Sequence, residues 1–372
     1  MSQFVSSPFM RAYAAGVRAG VPVVHVGNPG LAKTATIEGC AKAWGRHAET
    51  IIGSTRESTD FLGVMVEDKG VVKYSTFQWA QNLITASESL LFMDEFNTAA
   101  PSTMKGMLRV VQEGWVGDTK LPDTVSIVAA MNPVETAVDA YDLPAPMANR
   151  MMHLQWVFDT QMWLENVGTG FEHVSYPSLD QLLDADPVTR KARVAGTVTG
   201  FLKARPNLLA PEPPKDPVQA GGAWPSPRSW TNAINVLSQL DQADDEAASL
   251  ALTGLVGDGA ATQFLLWKEQ NDLYDPSAVL ADPSIVDWKG ERADRIFALI
   301  QAVTTLGLSK PELWRKASVA LATCALAGKP DVALPGATKL ASNIPGDGKT
   351  PAVFKDAFRE LYTKTHYTVS AA

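Results

Sequence analysis

The sequence has little cysteine, no long apolar run and no excess of basic charge. Its two cysteines, Cys40 and Cys324, lie far apart and form no CxxC or Cys/His cluster, which excludes a disulfide scaffold. No stretch approaches the roughly 18 consecutive apolar residues of a membrane span. The 32 Lys and Arg residues stand against 40 Asp and Glu, and this net charge of −8 disfavours a protein that coats duplex nucleic acid. The first residues also lack a secretory signal, so we expect a cytoplasmic protein with free thiols and no membrane contact.

What is present is enough apolar material for a large folded core. Apolar residues make up 46 % of the 372 residues and charged residues 19 %. Short apolar strands alternate with helical stretches up to residue 158, which predicts an α/β fold with a parallel sheet. Helical periodicity follows with almost no strands. We therefore predict a nucleotide-binding α/β core at 1–158 and a helical lid with a C-terminal helical extension at 159–372. Within the latter we expect a Pro/Gly-rich loop at 205–227 and an extended surface loop at 329–352.

The strongest motif is GNPGLAKT at 27–34, directly after an apolar strand and before a helix. It fits the phosphate-loop pattern GxxxxGK[ST] except that Ala32 replaces the second glycine, a mild departure if the φ angle of Ala32 stays negative. Lys33 would reach the β- and γ-phosphates and Thr34 would hold Mg²⁺. The alternative is an ordinary strand–turn–helix junction with a chance lysine. The predicted nucleotide-contacting residues are Gly27, Asn28, Pro29, Gly30, Leu31, Ala32, Lys33, Thr34 and Ala35.

A second apolar strand, LLFM at 90–93, ends in Asp94 and Glu95 about 60 residues after the loop. In a phosphate-loop ATPase, the strand next to the first one ends in an aspartate that binds Mg²⁺, and a following glutamate polarises the attacking water. A third strand continues into Asn132, whose amide could lie between the γ-phosphate and that water. Each feature has a plainer alternative: a solvated acidic turn for the two acids, and a turn-initiating Asn-Pro pair for Asn132.

Taken together, five segments resemble AAA+ ATPases of the MoxR group. They are GNPGLAKT at 27–34, LLFMDEFN at 90–97, AAMNP at 129–133, PMANR at 146–150 and SPRSW at 226–230. The resemblance assigns Lys33 and Thr34 to the Walker A motif, Asp94 and Glu95 to the Walker B motif, and Asn132 to sensor 1.

The same resemblance makes Arg150 similar to the arginine finger that is supplied to a neighbouring subunit, and Arg228 similar to the sensor-2 arginine of the lid. A guanidinium is permanently charged and planar, which suits the charge that develops on phosphate oxygens. The alternatives are that Arg150 only caps or salt-bridges a helix end, and that Arg228 only begins a helix.

The resemblance implies an ATPase that uses ATP and Mg²⁺ and works as a ring, which we expect to be a hexamer. It also implies remodelling or activation of a protein partner, one with a von Willebrand factor A domain. Two other functions stay open: a nucleic-acid-directed motor, which the net charge disfavours, and a nucleotide-gated scaffold with little turnover, which Glu95 disfavours.

Three further features are interpreted from the sequence. A hairpin at 63–74 lies where the MoxR group carries its helix-2 insert, and a second hairpin at 115–122 resembles the pre-sensor-1 hairpin. Both could equally be plain surface hairpins. His25 lies on a predicted buried strand, and we interpret it as a core histidine with its hydrogen bonds satisfied.

Overall fold

The protein is described here by a computed structural model, which covers residues 7–134, 140–183, 186–271, 273–346 and 349–359. Its internal contacts define two compact units. Unit 1 comprises Met1–Ala185 and Ala210–Thr262, and unit 2 comprises Asp186–Leu209 and Gln263–Ala372. These bounds differ from a division at residue 158, because the helices at 210–262 belong to the same unit as the sheet. The functional boundary at 158 stays a prediction.

The strands form one five-stranded sheet and two hairpins. In chain order they are β1 Val23–Val26, β2 His47–Ile52, β3 Val64–Asp68, β4 Val71–Ser75, β5 Ser89–Asp94, β6 Trp115–Val116, β7 Thr119–Lys120, β8 Val125–Met131 and β9 Met152–Gln155. All neighbours in the large sheet run parallel, in the order β2-β5-β8-β1-β9. The pairs β3–β4 and β6–β7 are the two predicted hairpins, and both are confirmed.

The remaining regular structure is helical. In chain order the α-helices are α1 Pro8–Arg18, α2 Lys33–Ala43, α3 Ser58–Leu62, α4 Gln78–Thr85, α5 Pro101–Glu113, α6 Ala145–Ala148, α7 Thr160–Asn166, α8 Leu179–Leu182, α9 Pro187–Ala204, α10 Pro217–Ala220, α11 Pro227–Leu237, α12 Asp245–Val256, α13 Asp258–Gln270, α14 Pro276–Ala281, α15 Ala293–Ser309, α16 Trp314–Leu326, α17 Pro330–Ala341 and α18 Ala352–Ala357. In the described residues no strand follows β9, so the predicted change from α/β to helix is confirmed. None of the described helices combines the length and apolarity that crossing a membrane requires.

The order of the strands corrects one prediction. The strand that ends in Asp94 is β5, and it does not lie next to β1, because β8 lies between them. The register pairs Val23 of β1 with Val128 of β8, and Phe92 of β5 with the same Val128. Leu90–Met93 are fully buried, as expected of a strand covered on both faces. Crossover connections set the order of parallel strands, and spacing along the chain does not reveal it.

Unit 2 is a helical bundle in which α15 packs against α9, α16 and α17. The predicted surface loop at 329–352 is wrong where α17 forms. Pro330 occupies the first helical position, where a missing N–H costs nothing, although Pro335 lies inside the helix. Gly336 lets α17 approach closely, since an added Cβ would lie 2.4 Å from the hydroxyl of Thr304 on α15. Tertiary packing thus outweighs the local helix breakers.

The end of the chain is described only in part. The last described helix is α18, and residues 360–372 lie outside the described residues, as do residues 347–348 within the 329–352 segment.

Candidate nucleotide-binding site

The loop between β1 and α2 lies at the carboxyl edge of the sheet. The N–H of Gly27 donates to the carbonyl of Met131, so the loop leaves β1 beside the end of β8. Gly30 has a φ of +79°, and Ala32 has a φ of 56° and a ψ of 25°. The condition under which Ala32 would be a mild departure, a negative φ, is therefore not met: this alanine adopts the left-handed conformation suited to glycine, which costs about 1–2 kcal/mol. The geometry of the loop, rather than the residue's preference, determines this backbone.

Lys33 is buried, with 7 % of its surface exposed. Its Nζ donates to the carbonyl oxygens of Gly27 and Asn28 over 2.6 and 2.8 Å and lies 3.2 Å from Oδ1 of Asn132. Burial lowers the pKa of Lys33, and the carboxylate of Asp94 partly opposes that shift. Three oxygen acceptors thus hold the ammonium group in the mouth of the loop.

Thr34 and Asp94 meet directly. The hydroxyl of Thr34 donates to Oδ2 of Asp94 over 2.5 Å, and Oδ1 of Asp94 accepts from the N–H of Glu95 over 2.8 Å. Two oxygen donors at one point suit Mg²⁺, which binds through one or two protein ligands together with substrate phosphates. The described residues contain no cluster of three or more His, Cys, Asp or Glu side chains that could hold a metal ion on its own. The pair therefore fits a magnesium ion that a nucleotide helps to bind.

Glu95 follows the strand in a strained position. Its φ is 49°, in the left-handed region that a residue with a Cβ seldom adopts. Its Oε2 accepts a hydrogen bond from the hydroxyl of Ser54, just after β2. Gly53 permits this approach, since an added Cβ would lie 2.7 Å from the carbonyl oxygen of Glu95. Sequence reasoning missed Ser54, because no local signal links it to Glu95 some 40 positions later.

Asn132 is held by another asparagine that sequence reasoning did not single out. Asn97 is fully buried, and its Nδ2 donates to the carbonyl oxygen of Asn132 over 2.9 Å. Its Oδ1 accepts from the N–H of Asn132 over 3.2 Å. The side chain of Asn97 thereby fixes the backbone of Asn132 in both directions, and the side chain of Asn132 is left to face Lys33. From the sequence, the only indication of a role for Asn97 is that it is a polar residue two positions after Glu95.

A cavity of about 740 Å³ opens beside the loop, within unit 1. One side is the exposed flank of α2, which includes Ala35 and Gly39, and Tyr176 packs there because Gly39 has no Cβ. Trp156 borders the cavity and donates from its indole N–H to the carbonyl of Leu31 over 2.9 Å. The aromatic residues that line the cavity are Trp156, Phe158, Trp163, Phe171 and Tyr176.

The two predicted arginines do not join this cluster. Met152 pairs with Val23, so Arg150 precedes β9 at the amino edge of the sheet, whereas the loop leaves the carboxyl edge. The guanidinium of Arg150 donates to the carbonyl oxygen of Pro146 over 2.5 Å. Burial lowers the pKa of Arg150, and the charge of Arg228 lowers it further.

His25, on β1, is buried but not satisfied. Neither ring nitrogen has a hydrogen-bond partner in the described residues, and neither does the hydroxyl of Tyr13. The imidazole lies among the rings of Phe9, Tyr13 and Trp156, with centroid distances of 5.5, 4.5 and 5.3 Å. Burial, and secondarily the charge of Lys33, lower the pKa of His25 to about 3. The interpretation as a core histidine is confirmed, whereas the expected hydrogen bonding is wrong.

The match to a protein family agrees with this architecture. Residues 23–153 match the ATPase family associated with various cellular activities (AAA). A crystal structure of a protein from Cytophaga hutchinsonii, provisionally named an ATPase, is similar at 18 % identity with a TM-score of 0.41. That similarity covers 66 % of this chain and 80 % of the other. No curated protein matches the sequence. The matched segment runs from the start of β1 into β9, so the chain carries an AAA-type α/β core followed by a largely helical region.

Proposed function

We propose that this protein binds and hydrolyses ATP as a ring, and that hydrolysis remodels or activates a protein partner. The observation that carries the proposal is the convergence of Lys33, Thr34, Asp94 and Asn132 at one edge of the sheet. Chain segments up to about 100 residues apart supply these side chains, and their spacing of 2.5–3.2 Å is that of a prepared polyphosphate site. The family match to residues 23–153, which include all four side chains, also supports the proposal.

The side chains have separable tasks in this mechanism. Lys33 exchanges its loop carbonyls for β- and γ-phosphate oxygens, and the N-terminus of α2 faces the same anion. Thr34 and Asp94 are placed to hold Mg²⁺, which when bound neutralises charge on those oxygens. Glu95 accepts a proton from the attacking water.

Two supporting contacts keep the acceptors in place. The hydroxyl of Ser54 fixes one carboxylate oxygen of Glu95, so the other is available to the water. Asn97 holds the backbone of Asn132, whose side-chain amide can then orient the water against the γ-phosphate. Both contacts prepare the site before the reaction, which is how fixed dipoles lower a barrier.

The cavity beside the loop suits the nucleotide base. Its volume of about 740 Å³ lies within the range of small-molecule sites, and aromatic rings offer stacking surfaces. Ala35 and Leu31 connect it to the phosphate end of the loop. We therefore assign the base and ribose to this cavity and the triphosphate to the loop.

Arg150 requires a second subunit in this mechanism. Met152 pairs with Val23, and Gly27 lies four residues after Val23. Along the strand direction, Gly27 is therefore about 13 Å from Met152. The side chain of Arg150, which is directed back to Pro146, cannot cover that distance to its own γ-phosphate. A ring offers the alternative, because head-to-tail contacts place one edge of a subunit beside another subunit's site. We expect a hexamer.

The β3–β4 hairpin is our candidate surface for the protein partner. All ten strand residues are exposed. Six of them are large and apolar, with exposures of 42–66 %: Val64, Met65, Val66, Val71, Val72 and Tyr74. A two-stranded ribbon with apolar side chains on both faces is marginal alone and gains from being covered. The partner implied by the MoxR resemblance contains a von Willebrand factor A domain.

Steady-state ATP hydrolysis across a protein concentration series tests the proposal. Specific activity should rise with concentration as rings assemble. Glu95→Gln should lower kcat by about 10²–10⁴-fold while ATP still binds, and Arg150→Ala by about 10³-fold or more. The matched control is Arg109→Ala, which removes an arginine of α5. Activity that is independent of concentration and unchanged in Arg150→Ala would refute the ring mechanism, and ATP binding without turnover would favour a nucleotide-gated scaffold.

A further inference from the structure

Asn149 is a buried amide that links the segments carrying the two arginines. It is 4 % exposed, and its Nδ2 donates to the carbonyl oxygen of Trp224 over 2.9 Å. Its Oδ1 accepts from the hydroxyl of Ser226 over 2.6 Å. One asparagine therefore fastens the residue next to Arg150 to the segment that leads into Arg228.

Ser226 is also the N-cap of α11. Its Oγ accepts from the N–H of Ser229 over 3.1 Å, and the hydroxyl of Ser229 accepts from the N–H of Ser226 over 2.8 Å. Pro227 and Arg228 are the first two residues of the helix. A capping box fixes how a chain enters its helix. The hydrogen bond from Ser226 to Asn149 therefore fixes the start of α11, and with it the backbone position of Arg228.

Neither guanidinium group forms an ion pair with an acidic side chain of the residues that the structure describes. The side chain of Arg228 is exposed and makes neither a hydrogen bond nor an ion pair within the described residues. Arg150 donates to a neutral carbonyl, and the charges of Arg228 and Glu113 shift its pKa in opposite directions. Two guanidiniums at short range repel each other unless they share an anion, and phosphate oxygens accept from both in the geometry that arginine offers. The arrangement fits a polyphosphate that another molecule presents.

We propose that Asn149 is a positioning residue that holds Arg150 and Arg228 as one pair, and that both arginines contact the terminal phosphate bound by the neighbouring subunit. This inference rests on the proposed function, since it requires a ring. It adds Arg228 to the residues that act across the interface. It also gives Asn149 a role that neither the sequence motif nor the family match contains.

Mixed rings test the pairing. Glu95→Gln subunits cannot hydrolyse ATP but present intact arginines, whereas Asn149→Ala subunits keep their own loop, Asp94 and Glu95. We expect Asn149→Ala alone to lower kcat by about 10- to 100-fold, as a displaced catalytic group does, with KM for ATP within twofold. Mixing it with Glu95→Gln should restore hydrolysis, and Arg228→Ala should be restored in the same way. Ser226→Ala, a milder change, covers the case in which Asn149→Ala does not fold, and should show the same rescue.

The outcomes separate the inference from the proposed function. If Arg150→Ala is rescued by Glu95→Gln but Asn149→Ala and Arg228→Ala are not, the ring mechanism stands and the pairing is wrong. If Arg150→Ala is not rescued either, the proposed action across subunits fails first. Asn82→Ala is the control for loss of an amide elsewhere in unit 1, and it should leave kcat unchanged.

Discussion

Replacing His25 with phenylalanine should make the protein less sensitive to acid. In the folded state, burial among aromatic rings lowers the pKa of His25 to about 3, whereas an unfolded histidine titrates near 6.5. The unfolded state therefore binds the proton first, and stability is lost as the pH falls from about 6.5 towards 3. At pH 5, about 1.5 units below the pKa of an unfolded histidine, this one group lowers the free energy of unfolding by roughly 2 kcal/mol. Above pH 7 His25 is neutral in both the folded and the unfolded state, so its titration no longer changes the free energy of unfolding.

Urea denaturation followed by tryptophan fluorescence at pH 7.5 and pH 5.0 measures the effect. Between these two pH values, wild type should lose about 2 kcal/mol more than His25→Phe, because all other titrating groups are common to both proteins and cancel. His173→Phe, the same change at an exposed histidine, is the control, and its pH difference should match that of wild type. Equal losses in wild type and His25→Phe would refute the account of a histidine kept neutral by burial.

Two further predictions concern the backbone of the site. Ala32→Gly should raise the free energy of unfolding by about 0.5–1 kcal/mol, because glycine adopts the left-handed conformation without strain. The rate of ATP hydrolysis should stay within twofold of wild type. A variant that is less stable than wild type in urea denaturation would contradict this prediction. Asn97→Ala should lower stability by about 1–3 kcal/mol, because the half-buried N–H and C=O of Asn132 lose their partner, and kcat should fall more than the affinity for ATP. An unchanged kcat in a variant that folds would show that Asn97 does not position Asn132 for catalysis.

The parts of the fold that the sequence predicted are those with a local signal. The phosphate loop, the acids after β5 and the hairpin around Gly70 each combine a residue pattern with its neighbouring element. The helix α1 and the strand β9 were not predicted. β9 alternates apolar and polar side chains over only four residues, and both elements are held by contacts with distant segments such as α12.

The errors have a shared physical cause, which is long-range packing. The helix α17 forms despite Pro335 because its small residues fit against α15 and α16. Ala32 adopts a glycine conformation because the loop requires it. Ser54 and Asn97 became visible as supporting residues only when folding placed them against Glu95 and Asn132.

The most direct test of the central claim is hydrolysis by mixed rings of Glu95→Gln and Arg150→Ala subunits. Each variant alone should be nearly inactive. In a random equal mixture, a site is complete when an Arg150→Ala subunit receives the arginine of a Glu95→Gln neighbour, which gives about one quarter of the wild-type specific activity for independent sites. Recovery near that level supports an ATPase whose site is shared between subunits. A mixture no more active than its separate components would contradict the account.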